Sequence, residues 1–468
     1  MRLATLFLSA CLLSACPPVS ASGEPVVASD AVADTASRLR VQALADTTAW
    51  NVVESLTTEI GPRLAGSEAD ARAVAWAEAK FRELGFDRVW TEPVTFPKWE
   101  RRGESARVLG AHAQPLVVTA LGGSPGGTVE AEIVRFDSLE ALQAAPEGAL
   151  AGRIAFVDHR MERARDGSGY SQGGAVRSRG PSEAIRKGAA GFLMRSASTS
   201  PNRVANTGIT RFDEGLAPIP SAALSLPDAD QLTRLLQRGP VRLRLALDCG
   251  WDGEYTSHNV IGEITGREAP QELVLLGAHL DSWDLGTGAI DDASGIGITM
   301  AAGHLVGQLP QRPRRTIRVV AFANEEQGLL GGREYARRHA ANVGNHVIAV
   351  ESDFGAGRIY GFNTSGGDAT AVARIASALA PLGIEPMAGK GGPGPDISPL
   401  ARIGGAWAWL GQDGSRYFDL HHNADDTLDK IDPADLAQNA AAYTVFAWLV
   451  AESDADFGSA PNASPAQD

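Results

Sequence analysis

The sequence predicts an α/β fold whose central sheet is buried between two layers of helices. Four apolar runs predict its strands, at residues 273–278, 316–323, 347–350 and 406–410. Near-continuous apolar runs are typical of strands that are covered on both faces in a parallel or mixed sheet. Segments with helical spacing follow Asp292, Glu326 and Gly367. Because strands and helices alternate, we expect a three-layer α/β/α domain with a mixed central sheet.

Length and composition are those of an ordinary globular protein with more than one domain. The chain has 468 residues, of which 44% are hydrophobic and 21% charged. A chain of this length suggests about two or three domains. The net charge of −14 provides no basic surface of the kind that binds nucleic acid or anionic membranes. We therefore expect no nucleic-acid partner.

The predicted organisation has a small module inserted into a larger domain. Residues 46–126 and 250–455 are predicted to form the larger domain, and residues 127–249 the module. In the module, short strand-like pieces alternate with Gly, Pro and Ser loops, without a cluster of potential metal ligands. Residues 23–45 are small and polar and are predicted to be a linker. Residues 456–468 are predicted to be a flexible tail.

The N-terminus has the features of an export signal. Arg2 precedes the apolar run LATLFLSACLLSA, which has the length of a signal-peptide core and is too short to span a bilayer. Residues 1–22 are therefore predicted to be a signal peptide, cleaved either before Ser22 or, as in a bacterial lipoprotein, before Cys16. The protein is expected to be periplasmic, an outer-membrane lipoprotein anchored at Cys16, or secreted. Cys249 then has no partner for an intrachain disulfide.

Five short segments of the C-terminal half carry side chains that bind metal ions or move protons. They are GAHLDS with His279, GAIDDASG with Asp291, FANEEQG with Glu325 and Glu326, ESDF with Asp353, and HHNADDT with His421 and His422. Three of the segments follow predicted strands, and ligands of open α/β sheets bind beyond the carboxyl ends of the strands. Imidazole nitrogens and carboxylate oxygens are ligands that zinc prefers. The segments therefore predict one crevice that holds two zinc ions.

The neighbouring carboxylates are expected to have different roles. A carboxylate that binds a metal ion is a poor proton acceptor, so Glu326 is assigned as a ligand and Glu325 as the general base. Asp291 lies in a Gly-rich turn before a predicted helix, where it can give one oxygen to each ion. Asp281 is expected to accept the imidazole N–H of His279 that does not face the metal, which would fix the tautomer.

The five motifs resemble those of the zinc-dependent aminopeptidase family that also contains glutamate carboxypeptidase II and the transferrin receptor ectodomain. The resemblance extends to the carboxypeptidase Q branch through IGPRLAGS (60–67), EPVTFPKWERRGESA (92–106) and ESDFG, and it covers nearly the whole mature chain. It implies a phosphorylase/hydrolase-like catalytic domain and a homodimer. It also implies that residues 127–249 are a protease-associated domain, which helps to roof the substrate cleft.

The resemblance further implies the role of each site residue. The implied zinc ligands are His279, Asp353 and Asp291 for one ion, and Asp291, Glu326 and a histidine for the other. Glu325 is the implied base. The family places the histidine four residues before the aspartate of an Asp-Thr pair, and the pair Asp426-Thr427 therefore selects His422 over His421. The peptide between Asp291 and Asp292 is expected to be cis, as it often is in these relatives.

The predicted function is that of a dizinc exopeptidase that cleaves dipeptides or short peptides. Metal-bound hydroxide is the expected nucleophile, and unblocked dipeptides are the substrates that the resemblance favours. A broad aminopeptidase would use the same metal ligands and stays an alternative. A non-catalytic, receptor-like binding protein is the alternative outside enzymes. Cobalt or manganese can occupy similar ligands in place of zinc.

Contacts to the substrate are harder to predict than the metal ligands. Asp396 and Ser398 lie in the Gly/Pro loop KGGPGPDISPL, which faces the substrate pocket in the family, and they are candidates together with Tyr417. Arg63 and Arg416 have the chemistry to pair with a substrate carboxylate. Arginines in loops are usually solvated, so neither is assigned to the site.

Overall fold

One large mixed sheet runs through the protein. The computed structural model describes Met1 and residues 30–460. The strands of these residues are β1 (Arg88–Val108), β2 (Gln114–Leu116), β3 (Val118–Ala120), β4 (Gly127–Phe136), β5 (Ile154–Val157), β6 (Gly191–Arg195), β7 (Ser221–Leu224), β8 (Arg242–Ile264), β9 (Ala269–His279), β10 (Arg315–Phe322), β11 (His346–Glu351), β12 (Ile359–Thr364), β13 (Glu385–Pro386) and β14 (Trp407–Gln412). Their order is β13-β12-β14-β11-β9-β10-β8-β4-β5-β6-β7-β3, and β1 pairs with β8 and β2.

Helices connect most of the strands. They are α1 (Ala31–Ala45), α2 (Thr48–Ser55), α3 (Glu68–Glu83), α4 (Leu139–Gln143), α5 (Tyr170–Arg186), α6 (Leu226–Leu236), α7 (Ser294–Gly307), α8 (Leu330–His339), α9 (Ala369–Leu379), α10 (Ser398–Arg402), α11 (Tyr417–Leu420) and α12 (Pro433–Glu452). Short 3₁₀ segments span Gly110–His112, Ala340–Asn345, Ala380–Leu382 and Leu428–Lys430, and π-helical turns span Leu56–Ile60 and Ala289–Ala293.

The strands at the centre of the sheet are covered on both faces. β9, β10, β11 and β14 are parallel to their neighbours in this group, whereas β8 and β12 are antiparallel to β10 and β14. Along β9, Val274 and Leu276 face the core that α7 and α12 cover, and Leu275 faces the core that contains Tyr335 of α8 and Leu400 of α10. The three-layer α/β fold predicted from the apolar runs is confirmed.

The predicted module at residues 127–249 continues the same sheet. β1 and β8 are 21 and 23 residues long, and the N-terminal part of β8 pairs with β4. Strands β4, β5, β6 and β7 are parallel to one another, and two further apolar cores lie around them. The exact boundaries of the module, and its identity as a protease-associated domain, stay predictions.

Residues 23–45 were predicted to be a linker. This prediction is wrong for Ala31–Ala45, which form α1. Asp30 caps this helix by accepting the backbone N–H groups of Val32 and Ala33. Leu39 and Ala43 are buried, and Trp448 of α12 donates its indole N–H to the carbonyl oxygen of Val32 at 3.0 Å. The helix is therefore held by packing against α12 more than by a strong apolar stripe of its own.

The predicted flexible tail also begins later than expected. Phe457 is buried, and the Ala460 N–H donates to the carbonyl oxygen of Gly404 at 2.7 Å. The predicted signal peptide with Cys16, and residues 461–468 of the tail, lie outside the described residues. Within the described residues, none of the helices combines the length and the apolar character that crossing a membrane requires.

Arg63 cross-links the loop that follows β9 and is not a substrate contact. Its side chain is fully buried and donates to the carbonyl oxygens of Leu280 at 2.5 Å, Thr287 at 2.7 Å and Gly288 at 2.9 Å. Burial lowers the pKa of Arg63, while the neighbouring charge of Asp426 opposes that shift. The guanidinium thus fixes the backbone between β9 and α7, a segment that contains several of the predicted site residues.

Replacing Arg63 with methionine should destabilise the protein. The substitution Arg63→Met removes the guanidinium donors from the carbonyl oxygens of Leu280, Thr287 and Gly288. We expect a loss of about 2–4 kcal/mol in the free energy of unfolding, measured by urea denaturation. Arg337→Met is the matched control, because Arg337 pairs with Glu334 on the exposed face of α8. Equal unfolding midpoints for the two variants would contradict the structural role of Arg63.

Candidate metal centre

The ends of three neighbouring strands bring the predicted site residues together. His279 is the last residue of β9, Glu325 and Glu326 follow β10, and Asp353 follows β11. Asp291 lies in the π-helical turn Ala289–Ala293 that precedes α7. His422 and its neighbour His421 follow α11. The predicted ligands are buried, except Asp353, which is half-buried.

One oxygen of Asp291 faces the first group of ligands. The distance from His279 Nε2 to Asp291 Oδ1 is 3.0 Å, and that from the same nitrogen to Asp353 Oδ1 is 3.5 Å. Three donor atoms at such distances surround a space of the size of a metal ion.

The other oxygen of Asp291 faces the second group. The distance from His422 Nε2 to Asp291 Oδ2 is 3.3 Å, and that from His422 Nε2 to Glu326 Oε2 is 2.9 Å. Asp291 therefore offers one carboxylate oxygen to each group, as expected of a bridging ligand.

The donor set fits zinc. Within each of three overlapping groups the donor atoms lie within 4.8 Å of one another, and the groups are His279 with Asp291 and Glu326, His279 with Asp292 and Asp353, and Asp291 with His421 and His422. Among the described residues, Asp291 Oδ2 and Glu326 Oε1 are buried without a hydrogen-bond partner. Buried carboxylate oxygens without partners are costly unless a cation faces them. Imidazole nitrogen and carboxylate oxygen are the ligand types that zinc binds in catalytic sites.

Both histidines present the nitrogen that a metal ion requires. His279 Nδ1 lies 3.0 Å from the carbonyl oxygen of Asp281, and His422 Nδ1 lies 3.2 Å from that of Thr207. A carbonyl oxygen can only accept, so each Nδ1 carries the hydrogen. Nε2 is therefore the ring nitrogen of each histidine that faces Asp291 and would bind a metal ion.

The predicted role of the Asp281 side chain is wrong. Its carboxylate oxygen Oδ1 lies 3.7 Å from His279 Nδ1, and it is the backbone carbonyl of Asp281 that accepts the imidazole hydrogen. The carboxylate instead accepts the backbone N–H groups of Glu325 at 3.0 Å and Glu326 at 3.4 Å. Asp281 thus positions the glutamate pair, because its short side chain reaches the neighbouring loop rather than its own histidine.

Two further aspartates hold the backbone around Asp291. Asp292 accepts the backbone N–H groups of His279 and Gly295, which satisfies both of its oxygens, and the peptide between Asp291 and Asp292 is cis as predicted. Asp426 accepts the N–H groups of Ile290 at 2.6 Å and of Asp291 at 3.3 Å. From the sequence, the position of Asp426 was used only to select His422 over His421. Its place in the Asp-Thr pair was the sequence feature that could have indicated its role in holding the backbone.

Burial and neighbouring charges shift the pKa values of the clustered carboxylates in opposite directions. Burial is the largest influence on Glu326 and raises its pKa to about 7, and burial also raises the pKa of Glu325 well above its ordinary value. Burial would do the same to Asp291, but the neighbouring imidazoles of His279 and His422 outweigh it and hold the pKa of Asp291 well below the usual range. Asp291 is therefore the carboxylate that most readily carries its charge.

His421 is less well placed than His422. Its Nε2 lies 3.8 Å from Asp291 Oδ2, and its ring stacks on that of His422 with 3.4 Å between the ring centroids. Burial lowers the pKa of His421 well below its ordinary value. Asn206 of the module donates its side-chain N–H to the His421 carbonyl oxygen at 2.6 Å, which helps to fix this loop.

The cluster lies at the base of a cavity of about 450 Å³. Glu325 is half-buried and lines this cleft together with Tyr417, and their roles as base and as substrate contact stay predictions. Asp396 is buried and accepts the backbone N–H of Gly332, and Ser398 donates to the carbonyl oxygen of Pro395. Neither of these two candidates is among the residues that line the cleft, because Asp396 faces α8 and Ser398 faces its own loop.

Three arginines around the cleft were not predicted. Arg177 and Arg211 come from the module and Arg333 from α8, and all three line the cavity. None of them forms an ion pair with a carboxylate of the described residues, whereas Arg416 lines a different cavity. No motif marked these arginines, because their position depends on how the module packs over the cleft.

The chain is similar to known peptidases over most of its length. Residues 259–447 match the model of peptidase family M28. Carboxypeptidase Q of Bos taurus is 33% identical over 429 residues, which are 90% of this chain and 89% of that protein. Carboxypeptidase Q of Homo sapiens is 31% identical over 435 residues, 92% of this chain and 90% of that protein.

Solved structures agree with this relationship. A peptidase M28 precursor from Shewanella amazonensis SB2B has a TM-score of 0.89 and 49% identity, and the match covers 92% of this chain and 99% of that one. BSAP, a zinc aminopeptidase from Bacillus subtilis, has a TM-score of 0.63 at 19% identity, with 85% of this chain and 93% of that chain covered, and shows the fold alone. The family predicted from the motifs is confirmed, and with it the prediction of an enzyme: the chain belongs to peptidase family M28.

Proposed function

We propose that the protein is a dizinc exopeptidase that hydrolyses dipeptides or short peptides. The observation that carries this proposal is the carboxylate of Asp291, whose two oxygens face two separate groups of ligands beside Glu325. The names of the relatives, carboxypeptidase Q and a zinc aminopeptidase, support the same class of reaction.

Different residues of the chain have different roles in the proposed reaction. When bound, the zinc ions supply Lewis acidity for the attacking water and the scissile carbonyl. Glu325 accepts a proton from that water and passes it to the leaving amine, since it lines the cleft without being one of the ligands. Asp281 holds the backbone of Glu325 and so keeps the base in position.

Arg177 supports recognition of a free C-terminal carboxylate. Its Nε is buried without a hydrogen-bond partner among the described residues, and its guanidinium lies 5.4 Å from the ring centre of Tyr170 in the wall of the cleft. A Cβ on Gly208 would lie only 2.4 Å from Arg177 Nη1, so glycine makes room for the guanidinium. An arginine without a carboxylate partner, next to a peptidase centre, fits the terminus of a short substrate.

Replacing Glu325 should stop turnover without emptying the metal centre. Glu325→Ala removes the proton acceptor and is expected to lower kcat at least about 100-fold on a dipeptide. Elemental analysis should still find two zinc ions per chain. Glu83→Ala, on the exposed side of α3, is the control and should keep full activity. Loss of zinc from Glu325→Ala, or retained activity, would contradict the assigned roles.

Replacing Arg177 should affect free and blocked substrates differently. Arg177→Met is expected to raise KM about tenfold for an unblocked dipeptide and to change KM little for the same dipeptide with an amidated C-terminus. Arg179→Met, on an exposed position of the same helix, is the matched control. If instead only acetylation of the N-terminus abolishes cleavage in wild type and variant alike, the aminopeptidase alternative is correct.

We also propose that the protein is exported, and that Cys16 carries a lipid in the mature form. This proposal follows from the apolar N-terminal run and from Cys16 after Leu13-Ser14-Ala15. The mass of the mature N-terminal peptide is expected to show a diacylated Cys16. A free N-terminus at Ser22 would show ordinary secretion instead.

A further inference from the structure

A second cavity adjoins the metal cleft. It has a volume of about 480 Å³, and Ile209 and Arg211 line both cavities. Its walls are mainly apolar and include Pro97, Ile209, Phe212, Pro218, Trp251 and Leu330. We call this cavity the Trp251 groove. Because the two cavities share wall residues, a molecule bound at the metal centre can extend a side chain into the groove.

Trp251 is unusually exposed for so large an apolar side chain. It lies on β8 with 53% of its surface accessible. Most large apolar side chains of the described residues are buried, and exposed ones next to a binding cleft commonly mark a ligand surface. The indole therefore offers an apolar wall to a ligand.

The floor of the groove is held in place by backbone contacts. The Thr210 N–H donates to the carbonyl oxygen of Gly122 at 2.8 Å. A Cβ on Gly123 would lie 2.7 Å from the carbonyl oxygen of Thr210 and 3.4 Å from the Trp251 ring. Glycine at this position therefore lets Thr210 of the module lie close to the segment between β3 and β4, and this contact fixes one side of the groove.

Polar atoms lie between the groove and the cleft. Gln327 lines the groove with only 6% of its surface exposed, and neither polar atom of its side-chain amide has a hydrogen-bond partner among the described residues. Arg211 donates to the backbone carbonyl oxygen of Gln327 at 3.4 Å and forms no ion pair with these residues. A buried amide without partners is costly unless a ligand satisfies it. A substrate backbone that passes this point would supply the missing donor and acceptor.

We propose that the Trp251 groove is the subsite for the side chain of the C-terminal residue of the substrate, and that it selects large apolar residues. The proposal rests on the proposed exopeptidase function and adds its specificity. The scissile carbonyl lies at the metal centre, the backbone beyond it passes Gln327 and Arg211, and the following side chain enters the groove. An apolar wall of this size leaves a small or charged side chain without matching contacts.

Three dipeptides test the preference with the zinc-loaded wild-type enzyme. We expect kcat/KM for alanyl-phenylalanine to exceed that for alanyl-alanine by at least about tenfold, because a filled apolar subsite contributes to this extent. Phenylalanyl-alanine should gain no comparable advantage. Equal rates for the two alanyl dipeptides, or a preference for phenylalanyl-alanine, would overturn the assignment of the groove. Failure to cleave any of the three would overturn the proposed function itself.

Trp251→Ala tests the wall of the groove directly. The ratio of kcat/KM for alanyl-phenylalanine over alanyl-alanine should fall about threefold to tenfold in this variant. Ile403→Ala is the matched control, because Ile403 is 41% exposed and does not line the groove. A loss of activity that is equal for both dipeptides in Trp251→Ala would show a structural role only, and an unchanged ratio would place the substrate elsewhere. Either result overturns the proposal.

Discussion

The structure depends on the burial of several carboxylates around one small volume. Asp291, Glu325, Glu326 and Asp353 meet there with the imidazoles of His279, His421 and His422. Buried carboxylates repel one another, and burial by itself disfavours their charged forms. Cations between them remove both costs, so binding of metal ions and stability of the fold are coupled. The carboxylate of Asp291 lies between the two groups of donor atoms, and one of its oxygens faces each group.

Groups outside the ligand set keep these carboxylates in position. The side chains of Asp281, Asp292 and Asp426 accept backbone N–H groups of the loops that carry the ligands. Arg63 donates to carbonyl oxygens of the same region from the opposite side. The module also takes part, because the carbonyl oxygen of Thr207 accepts the hydrogen of the imidazole that faces Glu326. The module therefore shapes the metal centre as well as the cleft above it.

The sequence predicted the central sheet and the cluster of side chains at its edge because both leave local signals. Residues 273–278 of β9 are a buried apolar run, and His279 directly follows this run as the last residue of the strand. The helix α1 was missed because its many small residues give weak periodicity, and only packing against α12 buries Leu39. The spacing of His279 and Asp281 does not indicate which oxygen of Asp281 accepts the imidazole hydrogen, that of the backbone carbonyl or one of the carboxylate. Arg177 was missed since its place in the cleft depends on contacts between distant parts of the chain.

Anomalous diffraction at the zinc absorption edge, from crystals of the protein purified with its native metal, tests the central claim most directly. Two anomalous peaks per chain are expected, one beside each carboxylate oxygen of Asp291, with His279 and Asp353 at the first and His422 and Glu326 at the second. A single peak, or two peaks that do not share Asp291, would contradict the bridged pair of zinc ions.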